Sequence, residues 1–294
     1  MPTVLPVIAD ISLAFRPVTS IAGISVRLET LALAVVLLVA VLITAWIARR
    51  TPVEAPTPPG EPDAGDPTPL RLDDLLVLAV AAVPGAVIGG RLGYGLVHLD
   101  VFGAEPGALL DPARAGLELP LAVLGGTVTA VIAAAILGAP IRCWLHVATL
   151  PMLLAIAGGK LALALGGTGQ GIPFDGPWAT AYLGPGPWGS IAPAVPSHPA
   201  QLYEALVACA VIVVVGAAVA AGAFRGHRGG VFAVAVALWL IGRATVAVTW
   251  RDPAVLGPLR ADQVISLALA AVALAVAAAD GARARHAEPA PQAT

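Results

Sequence analysis

Residues 31–48 read LALAVVLLVAVLITAWIA and are followed at once by Arg49 and Arg50. Spanning the hydrocarbon core of a bilayer as a helix takes about 20 apolar residues, so this uncharged run has the length of a single crossing. Inside lipid the backbone must satisfy its own hydrogen bonds, which makes such a run a helix. The arginine pair marks its return to water. Residues 205–224, ALVACAVIVVVGAAVAAGAF, are likewise uncharged from end to end.

Composition extends this to the whole chain. Of 294 residues, 58% are hydrophobic and only 12% charged, and the mean hydropathy is +0.89. A soluble domain carries about 25% charged residues, so the polar surface needed to cover a globule of this size is missing. A net charge of −2 excludes the basic face that nucleic acid requires. All basic residues but Lys160 are arginine.

Apolar runs predict spans at 31–48, 72–99, 119–138, 143–165, 199–224, 229–250 and 262–279. The expected fold is therefore all-α, a polytopic membrane protein of about seven transmembrane helices. Residues 1–30 form an outer segment and 31–48 the first transmembrane helix. Residues 49–71 are a cytoplasmic linker, because 51–70 hold seven prolines and four acids with few large apolar side chains. Residues 72–280 are a six-helix membrane core with an outer loop at 166–197, and 281–294 a disordered cytoplasmic tail. Cys143 and Cys209 lie in different apolar runs and are not expected to form a disulfide.

Orientation follows from basic residues in short connections. One side holds Arg49, Arg50, Arg71, Arg142, Arg225, Arg228, Arg283 and Arg285. The other holds Arg16, Arg27, Arg114, Arg251 and Arg260 among many acids. The bias predicts the N-terminus outside and the C-terminus in the cytoplasm.

Three cations fall within the spans: Arg91, Lys160 and Arg243. A charge at helix centre costs roughly 2.5–3.5 kcal/mol on insertion scales, so each is a candidate functional group. On the expected topology all three share the outer leaflet, where a lipid phosphate would neutralise them. Snorkelling, with a buried stem and a head at the interface, is the structural alternative, least so for the deeper Arg243. The stretch from Ser197 to Glu204, SHPAQLYE, opens a helix at the same side. Proline disfavours helical geometry in the residue before it, so His198 is the expected N-cap and Pro199 the first helical residue. Gln201 and Glu204 then form a polar stripe on neighbouring turns, while Tyr203 reads as an interfacial anchor. Gly158, Gly159, Gly166, Gly167, Gly169 and Gly171 flank Lys160 and permit close backbone approach.

These residues carry a resemblance to the prolipoprotein diacylglyceryl transferases. His198-Pro199-Ala200-Gln201-Leu202-Tyr203-Glu204-Ala205 closely resembles the family's H-P-S/A-Q-L-Y-E-A/S box. Gly90-Arg91-Leu92-Gly93-Tyr94 looks like its G-A-R-L-G-Y element. Pro177-Trp178-Ala179 sits in the outer loop, Ile241-Gly242-Arg243 matches the glycine–arginine pair of the sixth helix, and Asp262-Gln263-Val264-Ile265-Ser266-Leu267 resembles the G-Q-x-x-S that opens the last. The order fits from about residue 20 to 280.

The resemblance implies a bacterial multi-pass cell-membrane enzyme of lipoprotein biosynthesis. It takes the diacylglyceryl group of phosphatidylglycerol and places it on the lipobox cysteine thiol of a prolipoprotein precursor. Glycerol phosphate leaves and a thioether forms, without metal or organic cofactor. The implied catalytic residues are Arg243, Lys160 and His198. Arg91, Gln201, Glu204, Gly125, Gly126 and Gly159 are the implied substrate contacts.

The chain departs from the family pattern in three places. The third-helix H-G-G appears as Leu124-Gly125-Gly126, which removes the proposed base. The signature G-R-x-G-N-x-x-N-x-E appears from Gly159 to Thr168 with Lys160 for its arginine and without its asparagines and glutamate. Glu29 stands where the family has a tyrosine near the first helix. A lysine keeps the charge but not the bidentate fork. A second reading therefore stays open: a non-catalytic relative that binds anionic lipid or a lipoprotein precursor. Leu124 is the residue that separates the two. A small-molecule transporter would show an inverted repeat, and none is evident.

Overall fold

The uncharged runs become helices. A computed structural model describes residues 11–53, 68–111, 116–224 and 229–287. Seven helices in these segments are long and apolar enough to cross a membrane. They are α1 (Leu28–Ala48), α2 (Leu72–Val97), α4 (Leu119–Leu137), α5 (Ile141–Gly166), α6 (Ala200–Ala220), α7 (Gly230–Val246) and α8 (Ala261–Ala287), with a single-turn α3 (Leu99–Phe102) after α2. The chain is a mainly helical, multi-pass membrane protein. Leu38, Leu42 and Trp46 of α1 are each 59% exposed, a liability in water and the ordinary condition of a side chain in lipid.

Local chemistry sets several boundaries. Before α4, the Glu118 carboxylate accepts from the Leu121 N–H at 2.8 Å, an N-cap. The same helix ends where Gly138 takes φ 66°, the left-handed cap that glycine adopts without strain. Beyond Val246, α7 tightens into a 3-10 turn at Ala247–Thr249. At the far end α8 runs to Ala287, past the expected stop near 280. Residues 54–67 of the linker, Arg114, Arg225, Arg228 and the tail beyond 287 lie outside the described residues.

The structure adds what an all-α expectation left out: eight short strands in four pairs among the described residues. The ends of the Pro-rich linker belong to one of them, β4 (Pro52–Val53) pairing antiparallel with β5 (Thr68–Pro69).

The chain divides into two compact units. One comprises Met1–Ala40, Met152–Val214 and Gly242–Gln263; the other comprises Val41–Pro151, Val215–Ile241 and Val264–Thr294. In the second unit α2 and α4 pack glycine against glycine. A Cβ on Gly125 would run into the Gly85 carbonyl, and one on Gly89 into the Leu121 carbonyl, so small residues here set the helix separation. Leu70, Leu75, Leu78, Ala134, Trp144 and Val147 form a buried cluster in the same unit. Arg142 pairs with Asp280 at 2.6 Å.

The first unit holds a loop-and-strand hood together with helix segments. β1 (Ile11–Leu13) runs parallel to β6 (Thr180–Tyr182). β2 (Val18–Ile21) and β3 (Ile24–Arg27) form a hairpin closed by Ala22 and Gly23 at φ 51° and 83°. Positive φ at both positions is the turn whose twist suits a two-residue hairpin. β7 (Ala254–Leu256) and β8 (Leu259–Arg260) make a second hairpin just before α8. Gln170 pins the hood from within: its Nε2 donates to the Thr180 carbonyl at 2.7 Å, and its Oε1 accepts from Ser190 Oγ at 2.6 Å.

Candidate functional site

Four helices of the first unit each bring one charged side chain to a common point. Lys160 comes from α5, Glu204 from α6, Arg243 from α7 and Asp262 from the first turn of α8. Lys160 Nζ donates to Glu204 Oε1 at 2.7 Å, and the other carboxylate oxygen of Glu204 accepts from Arg243 Nη1. Arg243 Nη2 reaches Asp262 Oδ1 at 3.3 Å. The Arg243 guanidinium also lies over the Trp250 ring, 4.5 Å from its centroid, a favourable cation–π placement. The cluster is shut away from solvent: the side chains of Glu204, Arg243 and Asp262 are 4, 6 and 9% exposed, and that of Lys160 is 12% exposed.

Two cations and two carboxylates sum to zero. A buried charge persists only when paired and hydrogen-bonded, and here each cation has a carboxylate in contact. The arginine fork lets one side chain hold both acids. Gln263 fixes the start of α8 beside α7: its Nε2 donates to the Ala244 carbonyl at 2.9 Å, and its Oε1 accepts from the Arg260 N–H at 3.0 Å.

The polar stripe of α6 separates. Gln201 is fully buried and donates to the Tyr182 hydroxyl at 2.8 Å, which ties the helix to strand β6. Burial raises the Tyr182 phenol above its ordinary value, with the Gln201 hydrogen bond working the other way. The helix also opens one residue later than the sequence predicts. The Pro199 carbonyl accepts the first helical bond, from Tyr203 N–H at 3.2 Å, and His198 is left in the loop. There its carbonyl accepts from Gly171 N–H at 2.8 Å and its own N–H donates to Ile172 O at 3.0 Å. The imidazole stacks on Phe174 at 3.9 Å between centroids, and Nδ1 lies 3.1 Å from the Tyr203 hydroxyl. Desolvation by burial lowers the His198 imidazole below its ordinary value.

The remaining expected site residues each have a setting within their own unit. Gly159 is in the first unit, and a Cβ there would meet only Leu33, at an ordinary 3.6 Å. Arg91, Gly125 and Gly126 belong to the second unit. Arg91 donates to the Asp111 carbonyl at 3.3 Å, and the two glycines face α2. Glu29 accepts from Thr168 Oγ1 at 3.1 Å and so joins the start of α1 to the loop after α5. Both cysteines are free.

Sequence reasoning missed three groups: Asp262 as the second acid of the cluster, Trp250 as the ring under Arg243, and Arg251. The last donates to Gly171 O at 2.6 Å and Ser197 Oγ at 3.2 Å, clamping the loop on both sides of His198's backbone bonds. An acid in the first turn of a span is the one signal that the sequence offers for any of the three.

Comparison with known proteins identifies the family. Residues 17–279 match the prolipoprotein diacylglyceryl transferase family. Proteins named phosphatidylglycerol–prolipoprotein diacylglyceryl transferase are similar to the chain. The one from Rhizobium leguminosarum bv. trifolii is 31% identical over 191 residues, 63% of this chain and 62% of that protein. A Nitrobacter hamburgensis protein is 31% identical over 147 residues, 48% of this chain and 47% of its own length. The Nostoc sp. protein is 27% identical over 263 residues, 87% of this chain and 85% of that protein. The chain thus spans less than two thirds of the first two relatives and most of the third. With its match running from before α1 into α8, this chain belongs to the prolipoprotein diacylglyceryl transferase family.

Proposed function

We propose that the chain transfers the diacylglyceryl group of phosphatidylglycerol to the thiol of a lipobox cysteine in a prolipoprotein. It does so at the outer leaflet of the bacterial cell membrane, with its N-terminus outside and its C-terminus cytoplasmic. The observation that carries this reading is the Lys160–Glu204–Arg243–Asp262 cluster. The departing phosphate gains a negative charge as the carbon–oxygen bond breaks, and preorganised cations in a water-poor site stabilise such charge best. Glu204 and Asp262 hold the cations in place beforehand. An ammonium carries three donors; Lys160 places one on Glu204, and its other N–H bonds are directed at the phosphate. Arg243 supplies the second cation, and Gln201 and Gly159 contribute to the substrate path. His198 serves proton transfer.

Leu124 favours a second reading, a non-catalytic relative that binds anionic lipid or a lipoprotein precursor, because leucine cannot accept a proton. Complementation of a strain depleted of its own prolipoprotein transferase decides between them. Growth with thioether-modified lipoprotein supports the transferase. Failure to complement by a stably inserted protein that still binds phosphatidylglycerol vesicles supports the binder.

A further inference from the structure

The first unit holds a second constellation that phosphate neutralisation does not use. Trp178, from the hood, donates its indole N–H to the Tyr203 hydroxyl oxygen at 2.7 Å. The same oxygen lies 3.1 Å from His198 Nδ1. Phe174 covers the imidazole face at 3.9 Å and also meets Trp178, at 5.3 Å between centroids. An indole N–H can only donate, so the phenol oxygen is an acceptor toward Trp178. The tautomer of His198 that carries its hydrogen on Nε2 leaves Nδ1 as the acceptor for the phenol's own hydrogen. A phenol oxygen has two lone pairs; Trp178 takes one, and the other remains for an incoming donor. The Trp178–Tyr203 hydrogen bond lies at an exposed position, with Trp178 51% exposed.

We propose that Tyr203 takes the proton of the acceptor cysteine thiol and passes its own hydroxyl proton to His198 Nδ1. This rests on the diacylglyceryl-transfer reading above. The S–H bond breaks and the phenol oxygen gains that hydrogen as it releases its first to the imidazole, which becomes imidazolium. The sulfur lone pair then forms the S–C bond to the glyceryl carbon. The C–O bond to phosphate breaks with its electron pair on oxygen, and glycerol phosphate leaves. The imidazolium returns its proton to water, so one proton is released per turnover and nothing is oxidised or reduced. Trp178 steadies the negative charge that passes through the phenol oxygen.

The surroundings suit a ring that must start neutral. The titratable and charged groups that meet it are the Tyr203 phenol at Nδ1 and, through Gly171 and Ser197, the Arg251 guanidinium. No carboxylate bonds the ring among the described residues, and burial holds it below the ordinary imidazole value. His198 therefore stays unprotonated into mildly acid solution, and the rate falls only as the pH drops through that lowered value.

The test uses the full chain in phosphatidylglycerol vesicles with a synthetic lipobox-cysteine peptide, read as thioether formation across pH. At neutral pH, Tyr203→Phe lowers kcat by about 100-fold or more, the range of a lost general base, and leaves the KM for phosphatidylglycerol within about twofold. His198→Gln behaves alike and loses the acid limb of the profile. Trp178→Phe falls by about tenfold. Above about pH 9 a free thiol ionises unaided, so all three variants converge on the wild-type rate. A Tyr203→Phe protein with wild-type kcat at neutral pH overturns the proposal alone. So does one that is folded by circular dichroism yet equally depressed at high pH, because a purely structural role predicts that. Wild-type protein that transfers nothing at any pH overturns the transfer reading and this proposal with it.

Discussion

Arg243 holds two acids and sits over an aromatic ring, so its replacement has unequal consequences. Arg243→Ala leaves Glu204 with Lys160 alone and strips Asp262 of its cation. Removing one partner of a buried pair costs roughly 3–5 kcal/mol. That cost lowers the thermal midpoint, and phosphatidylglycerol binding should fall by up to about 100-fold, since a charged hydrogen bond contributes about 1.5–3 kcal/mol and each 1.4 kcal/mol is about tenfold. Arg243→Lys keeps the charge but can no longer bridge both carboxylates, so binding falls by about tenfold. Titration of the detergent-solubilised protein with phosphatidylglycerol measures both, and binding that ignores the two substitutions removes Arg243 from the phosphate site. Glu204→Gln exposes the opposite side of the same balance. Two cations then share only Asp262, and the thermal midpoint in detergent drops by several degrees although the side chain keeps its shape. The sequence put Glu204 on one stripe with Gln201, but their partners differ. Glu204 meets residues 44 and 39 positions away, while Gln201 meets a strand of the hood. Such long-range pairing is not encoded in local spacing, so the charges were legible as candidates and their neutralisation was not.

Among the elements, the helices were legible to within a few residues, apart from the longer C-terminal end of α8, because an uncharged run of about 20 residues admits one structure in lipid. The hood was not. Its strands are two to four residues long, too short for alternation to show. The onset of α6 lies one residue beyond the expected one because Pro199 O accepts the first helical bond, while the His198 carbonyl is engaged by the Gly171 N–H. Glycines divide by element as well. Gly125→Val drives a side chain into the Gly85 carbonyl, and overpacking of this kind costs typically 1–3 kcal/mol, seen as a lower thermal midpoint. Gly159→Ala has space beside Leu33 and leaves the midpoint within about one degree, a difference of a few tenths of a kcal/mol. Loss of transfer by Gly159→Ala with an unchanged midpoint assigns that glycine to substrate contact; unchanged transfer assigns it to packing.

For the whole molecule, the arginine bias and the seven spans make one topological statement. With Cys143 and Cys209 replaced by Ala, Gly60→Cys should react with an impermeant maleimide only from the cytoplasmic side. Ile191→Cys, at a hood residue that is 90% exposed, should react only from outside. Labelling of both positions from one side overturns the proposed orientation. Family membership was legible in the H-P-A-Q-L-Y-E segment. The surviving chemistry was not, because Leu124 and Lys160 change what the family positions can do.

Lys160 is the one lysine in this chain, and its ammonium is tied to Glu204 in a nearly closed setting. The chain therefore offers acylating reagents a single ε-amine, and that amine is engaged. Modification at Lys160, located by mass spectrometry, becomes a built-in gauge of whether the cluster has opened. An N-hydroxysuccinimide ester should spare it in the resting protein, where cation and carboxylate are locked together. Glu204→Gln, detergent stress or a bound lipid that draws the amine away would each register as a change in acylation rate at one residue. No probe has to be introduced, because the scarcity of lysine has already done the site-selective work.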